Sequence, residues 1–259
     1  MLKKLYNKNE IKFSIIWILI YVIVMNIALN YCDGFDNLAT KATSQMLIPV
    51  ICILLIAAIL TIWIFRNNLS KKYGLVKTKI NLKQFLWFLP LIIVSCINLK
   101  NGLELSAPLV ISLLMMINMM FAGYVEEIIF RGFLFKGMAK DDLKVAIIVS
   151  SLTFGAGHIV NIFNTTDILG VLLQVCYATS IGFMYTVIFY KSGSLWPSII
   201  SHMFVNGTSV FASEYGPFTN LMKFIFNNGS IELVELISAL IIIIISSVYA
   251  RWLYKKNVV

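Results

Sequence analysis

Apolar residues in this chain come in long unbroken runs, not in the alternation of a half-buried strand. The runs cover roughly 11–30, 46–66, 83–98, 107–136, 143–163, 167–190, 194–211 and 231–252. A bilayer core needs about 20 apolar residues per helix. The pattern therefore predicts an all-α membrane protein, a bundle of about eight transmembrane helices, with the third run short. No internal repeat, low-complexity tract or soluble stretch breaks the sequence, so residues 1–259 read as a single integral membrane domain.

Composition sharpens this picture. The chain is 59% hydrophobic and 13% charged, with a mean hydropathy of +0.87, whereas soluble domains are near half apolar and a quarter charged. The first run follows a lysine-rich start and is too long for the 7–15-residue core of a cleaved signal, so it reads as a retained span. The net charge of +9 has no soluble surface to sit on, which argues against nucleic acid as a partner. Its distribution fits a membrane instead. Alternating the spans puts 18 Lys and Arg on one side, from Lys3 through the 66–83 loop to Lys256. Only Lys41, Lys100 and Lys223 fall on the other. Cytoplasmic loops carry the excess of Lys and Arg, so both termini are expected to be cytoplasmic. The basic 66–83 loop reads as an orientation signal on anionic headgroups. Cys52, Cys96 and Cys176 fall within runs and Cys32 just past one, with no spacing suited to a disulfide frame or a zinc site.

Ionisable groups are expensive at membrane depth, roughly 2.5–3.5 kcal/mol each at a helix centre on insertion scales. The fourth run nevertheless carries Glu126, Glu127 and Arg131. Glu127 and Arg131 stand at i and i+4 and meet on one helix face, which makes them a structural pair, with Arg131 also reaching a neighbouring backbone carbonyl. Adjacent glutamates point about 100° apart, so Glu126 is left without that partner. It must be protonated, face water, or meet a histidine. The chain has two histidines, His158 and His202, and both lie in apolar runs. Phe154 precedes His158 by one turn and can pack beneath its ring. Asn206 follows His202 by one turn on the same face.

At about 1.5 Å rise per residue, Glu126 lies roughly 15–18 Å from its cytoplasmic end and His158 about 20 Å. By the same measure His202 lies about 12 Å in and Asn206 about 18 Å. A lone buried histidine is usually a satisfied polar group. Four such residues converging on one layer point to chemistry.

The segments Glu126-Glu127-x-x-x-Arg131, Phe154-x-x-x-His158 and His202-x-x-x-Asn206 resemble, in order and context, the motifs of the CPBP family of intramembrane proteases. That family includes the CAAX prenyl endopeptidases and the bacterial Abi, or bacteriocin self-immunity, proteins. The resemblance covers about 107–211. It implies a helical bundle with a hydrolytic site for peptide bonds, Glu126 as its catalytic acid, and functional roles for His158, His202 and Asn206.

On this reading Glu126 is the general base, His158 positions the same water, and His202 and Asn206 donate hydrogen bonds to the oxyanion. A competing version makes Glu126, His158 and His202 ligands of Zn²⁺, although no HExxH is present. The expected partner is a membrane-embedded or lipidated peptide or protein, entering laterally or through the cytoplasmic mouth. The Ile-, Lys- and Asn-rich composition favours a bacterial cytoplasmic membrane, and bacteriocin immunity or peptide maturation as the setting. Two other functions fit the same polar layer: a non-enzymatic immunity or regulatory partner, and a transporter with a midplane Glu/His site.

Overall fold

Backbone amides in hydrocarbon must be satisfied within their own segment, and this chain satisfies them with helices. The computed structural model describes residues 2–31, 42–78, 86–105, 107–163, 165–227 and 229–256. In chain order the helices are α1 (Leu2–Lys8), α2 (Glu10–Tyr31), α3 (Thr43–Arg66), α4 (Leu89–Ser95), α5 (Leu109–Met138), α6 (Leu143–Gly157), α7 (Ile168–Ser192), α8 (Trp196–Ser209), α9 (Pro217–Ile225) and α10 (Ile231–Lys255). Short 3₁₀ turns occupy Leu86–Phe88, Ile97–Asn101 and His158–Phe163. The described residues contain no strand, only an isolated bridge between Leu103 and Ala212.

Among the described residues, six helical segments are long and apolar enough to cross a bilayer: α2, α3, α5, the stretch from α6 through Phe163, α7 and α10. Ile23, Ile27, Leu55, Ile62, Ile244 and Val248 are each more than half exposed. In a multi-pass membrane protein these side chains meet lipid, which accepts them as readily as a core does. The remaining two expected spans are shorter than the hydropathy pattern suggests. The 83–98 run contains the seven-residue α4 between two 3₁₀ turns, and Lys83 to Phe85 fall outside the described residues. The 194–211 run becomes the 14-residue α8, about 21 Å long. The helix α9 had no counterpart among the expected runs. Lys41, Lys79 and Cys32 also lie outside the described residues, and Cys52, Cys96 and Cys176 are free.

The helices alternate in direction, which gives the bundle two distinct ends. At the basic end Lys72 donates to Glu10 at 2.6 Å and to Tyr6 at 2.7 Å, fastening the 67–78 loop to α1 and α2. Gly193 closes α7 in the left-handed conformation, φ +65°, and the chain reverses into α8, where Pro197 suits the first turn. The 67–78 loop is bonded to that reversal: Leu195 donates its N–H to Gly74 O at 2.8 Å, and Ser194 donates to Val76 O at 2.7 Å. Gly74 has φ +68°, and a side chain there would run into the Phe189 ring. The orientation loop is therefore partly a packed element.

At the opposite end the Asn101 side chain donates to Glu214 O and Thr219 Oγ1, both at 2.8 Å, and accepts from Thr219 N–H at 2.9 Å. The N–H of Glu104 donates to Phe211 O at 2.7 Å. These bonds fold the chain after α8 back over the 3₁₀ turn and explain why α8 stops short.

Two features position the polar layer. From Glu127 to Phe135 the backbone of α5 widens into π-helical turns, and all nine residues are buried. Such widenings re-aim side chains and frequently mark functional sites. Asp142 caps α6, accepting the N–H of Lys144 and Val145 at 2.8 and 3.0 Å, and so sets the register that carries Phe154 and His158 inward.

Candidate active site

The layer is assembled around one imidazole. His202 is buried, and its ring lies against the backbone of α5 at Gly123, where a Cβ would stand 3.2 Å from the ring carbons. Its Nδ1 is 2.9 Å from Oε1 of Glu127. The same oxygen accepts Arg131 Nη1–H at 2.9 Å, both side chains being fully buried. Glu127 is thus an ionised acceptor, and Nδ1 carries the proton that it accepts. The other ring nitrogen, Nε2, lies 3.4 Å from Oε2 of Glu126.

This corrects one expectation. The adjacent glutamates do not serve separate neighbours; they approach one imidazole from its two nitrogens. Glu126 meets a histidine, one of the three settings open to it. The hydroxyl of Tyr21 on α2 donates to its Oε1 at 2.5 Å. The pairing of Glu127 with Arg131 is as expected, but the guanidinium reaches no backbone carbonyl. Instead Arg131 Cζ sits 4.1 Å from the centre of the Phe154 ring, a cation–π contact in a desolvated setting. The Nε and Nη2 atoms of Arg131 have no hydrogen-bond partner. Gly182 on α7 makes room for this stack, since a Cβ there would meet Phe154 at 3.0 Å and Arg131 Nη2 at 3.1 Å.

Phe154 stands between the histidines, its ring centre 5.1 Å from that of His158 and 5.6 Å from that of His202, edge-on to both. Tyr185 covers the other side of His202 at 5.4 Å, and its hydroxyl is bonded to Ser201 at 2.9 Å, which turns Ser201 away from the imidazole chemistry. His158 closes α6 and begins the 3₁₀ turn. Together with Glu126, Tyr21, Phe154 and Asn206 it lines a cavity of about 570 Å³. A second cavity of about 300 Å³ shares Phe154, His158 and Asn206 and adds His202. All four residues singled out from the sequence as catalytic thus border one or both of these cavities, with Glu126 and His202 3.4 Å apart.

Among the described residues no three His, Cys, Asp or Glu side chains gather closely enough to hold a metal ion. As placed, Glu126, His158 and His202 do not form such a cluster.

Tyr21 and Tyr185 escaped sequence reasoning. Tyrosine is common in membrane helices, and neither residue stands in a run of polar neighbours. A weak signal existed for Tyr21, which heads with Asn26 the polar positions of an otherwise aliphatic span.

The geometry agrees with the comparison to known families. Residues 108–208 match the family model described as type II CAAX prenyl endopeptidase Rce1-like. The match includes Glu126, Glu127, Arg131, Phe154, His158, His202 and Asn206 and excludes Tyr21. A search of curated proteins gave no match. Over residues 108–208 this multi-pass membrane chain is therefore similar to the Rce1-like type II CAAX prenyl endopeptidases.

Proposed function

We propose that the protein is an intramembrane endopeptidase that hydrolyses a peptide bond in a hydrophobic, membrane-associated peptide or protein. The observation that carries this reading is the 3.4 Å approach of Glu126 Oε2 to His202 Nε2, with Glu126 at the wall of a cavity large enough for a peptide segment. Water enters that space, and Glu126 takes its proton as the oxygen attacks the carbonyl carbon. His202, its Nδ1 held by Glu127, presents Nε2 toward the developing oxyanion, with the Asn206 amide as a hydrogen-bond donor beside it. Collapse breaks the C–N bond, and the proton held by Glu126 passes to the leaving amine. His158 positions the water from the facing wall. No step requires a metal.

The distribution of Lys and Arg supports an orientation with the basic end and both termini in the cytoplasm. An eight-segment count, with α4 and α8 as short members, is consistent with it. A bacterial cytoplasmic membrane and a role in bacteriocin immunity or peptide maturation complete the proposal.

The test is mass spectrometry of membrane peptides from cells making the native chain or Glu126→Ala. Loss of a general base lowers the rate by roughly 10²–10⁴-fold, so a set of cleavage products should vanish while the protein stays at normal membrane levels. Identical peptide profiles would overturn hydrolysis and favour a binding role.

A further inference from the structure

The cavity lies to one side of the polar layer. On α2 its wall runs from Tyr21 to Leu29, away from the basic end, and on α5 from Phe130 back to Met115. On α8 it runs from His202 to Val210, again away from the basic end. Its exposed lining residues, Asp167 and Ser209, lie at the end opposite the lysine-rich loops, as does Glu235 of the second cavity.

Among the described residues the layer is shut toward the basic end. Phe133, in the last of the π-helical turns, is packed by Phe13 at 5.2 Å, Trp63 at 5.9 Å and Tyr73 at 4.9 Å, ring centre to ring centre. Phe135 packs on Phe189 at 5.9 Å. Phe13, Tyr73, Phe133, Phe135 and Phe189 are each no more than 1% exposed. Interiors packed this way hold few voids larger than a water molecule.

The lining chemistry indicates what enters. Met25, Met115 and Met119 offer adaptable apolar contact. Between them stand the amides of Asn26, Asn118, Asn161 and Gln174. Asn118 is 1% exposed, yet its Oδ1 has no hydrogen-bond partner. A buried acceptor left unmade costs about 1–3 kcal/mol, which a donor on an incoming ligand would recover. An extended peptide supplies backbone N–H groups at regular spacing and apolar side chains between them.

We infer that the site is entered only from the end opposite the lysine-rich loops, and that it takes an extended, largely apolar peptide segment presented there. This rests on the proposed hydrolysis for its purpose, but not for its geometry. Under the cytoplasmic assignment of the basic end, the substrate arrives from the outer face, not through a cytoplasmic mouth.

The test uses single-cysteine variants of the full chain in sealed membrane vesicles of both orientations, with the four native cysteines replaced by serine. Lys71→Cys reports the basic end and Glu104→Cys the opposite end. Gln174→Cys and Met119→Cys are the cavity probes, two being used in case one fails to accumulate. A membrane-impermeant thiol reagent should modify the cavity probes from the same face as Glu104→Cys. An apolar capped octapeptide of leucine and alanine added on that face should slow the modification severalfold. The same peptide with proline at alternate positions, which lacks those N–H groups, should slow it far less. Modification from the Lys71→Cys face, or from neither face while both end markers react, would overturn the entry route. Equal protection by the two peptides would overturn backbone recognition. Neither readout depends on cleavage, so these failures are distinct from a negative Glu126→Ala result.

Discussion

The hydroxyl of Tyr21 and the carboxylate of Glu126 meet at 2.5 Å across a sequence separation of 105 residues. The bond joins α2, outside the family-matched stretch, to the acid that the motif identifies. It occupies one oxygen of Glu126 and leaves the other toward His202. Tyr21→Phe keeps the ring and removes only the donor. Hydrogen bonds to charged groups contribute about 1.5–3 kcal/mol, so product formation should fall by roughly 10- to 100-fold at unchanged membrane levels. The effect should be on turnover, with substrate affinity little altered. Full activity in Tyr21→Phe would reduce the contact to packing.

Glu127 holds Arg131 on one side and His202 on the other through a single oxygen. Structural and positioning roles separate in a pair of variants. Arg131→Met alone strands a buried carboxylate, and breaking a buried pair in this way costs about 3–5 kcal/mol, so little protein should accumulate. Combining it with Glu127→Leu removes both charges, and an apolar replacement of the pair is often neutral or stabilising. The double variant should recover membrane levels and thermal stability. It should remain inactive, because Nδ1 of His202 has lost the acceptor that sets its orientation. Recovery of activity along with stability would show that Glu127 only balances Arg131.

Lys72 provides a test away from the layer. Burial alone pushes its ammonium down, but the hydrogen bonds with Glu10 and Tyr6 outweigh that and hold it above the ordinary lysine value of 10.5. A cation held high stabilises the folded form wherever free lysine is already protonated, and that gain is lost as pH rises through the folded value. The side chain is about one-third exposed, so the contribution is under about 1 kcal/mol. The melting difference between the native chain and Lys72→Met should be small and constant through the neutral range. It should shrink only above the ordinary lysine value. A difference that grows with alkalinity would contradict the pairing.

The motif residues were legible because each is a polar group whose surroundings in sequence are apolar, and membrane depth makes such groups conspicuous. Depth could be read from helix rise, which brought Glu126, His158, His202 and Asn206 to one layer before any coordinates. The relation between the two glutamates was not legible. Side chains 100° apart on a regular helix leave for different neighbours, but His202 is seated on Gly123 close enough to the axis for both to reach it. The length of α8 was hidden for another reason. Hydropathy cannot see the hydrogen bonds of Asn101 and Glu104 that turn the chain back after Val210. Tyr73 likewise sits in a basic loop that reads as solvated, yet it closes the aromatic floor.

Gly123 carries no chemistry of its own, which makes it a sharp probe of geometry. A Cβ there would stand 3.1 Å from the carbonyl carbon of His202 and 3.2 Å from Cγ and Cδ2 of its ring. Contacts that close force one partner to move by a few tenths of an ångström. The imidazole has little freedom to do so, with Glu127 on Nδ1, Glu126 beyond Nε2, and Phe154 and Tyr185 against its faces and edges. Helix propensity would favour alanine over glycine by about 1 kcal/mol, so the fold has something to gain from Gly123→Ala. Misplacing a catalytic group by 1 Å can cost roughly 10²-fold, and a smaller shift should cost about tenfold. The expected result is a variant with near-native melting temperature and membrane level whose cleavage products fall by that factor. Native activity in Gly123→Ala would mean that His202 can shift without consequence, and the two-point grip on its ring would lose its claim to set the reaction geometry.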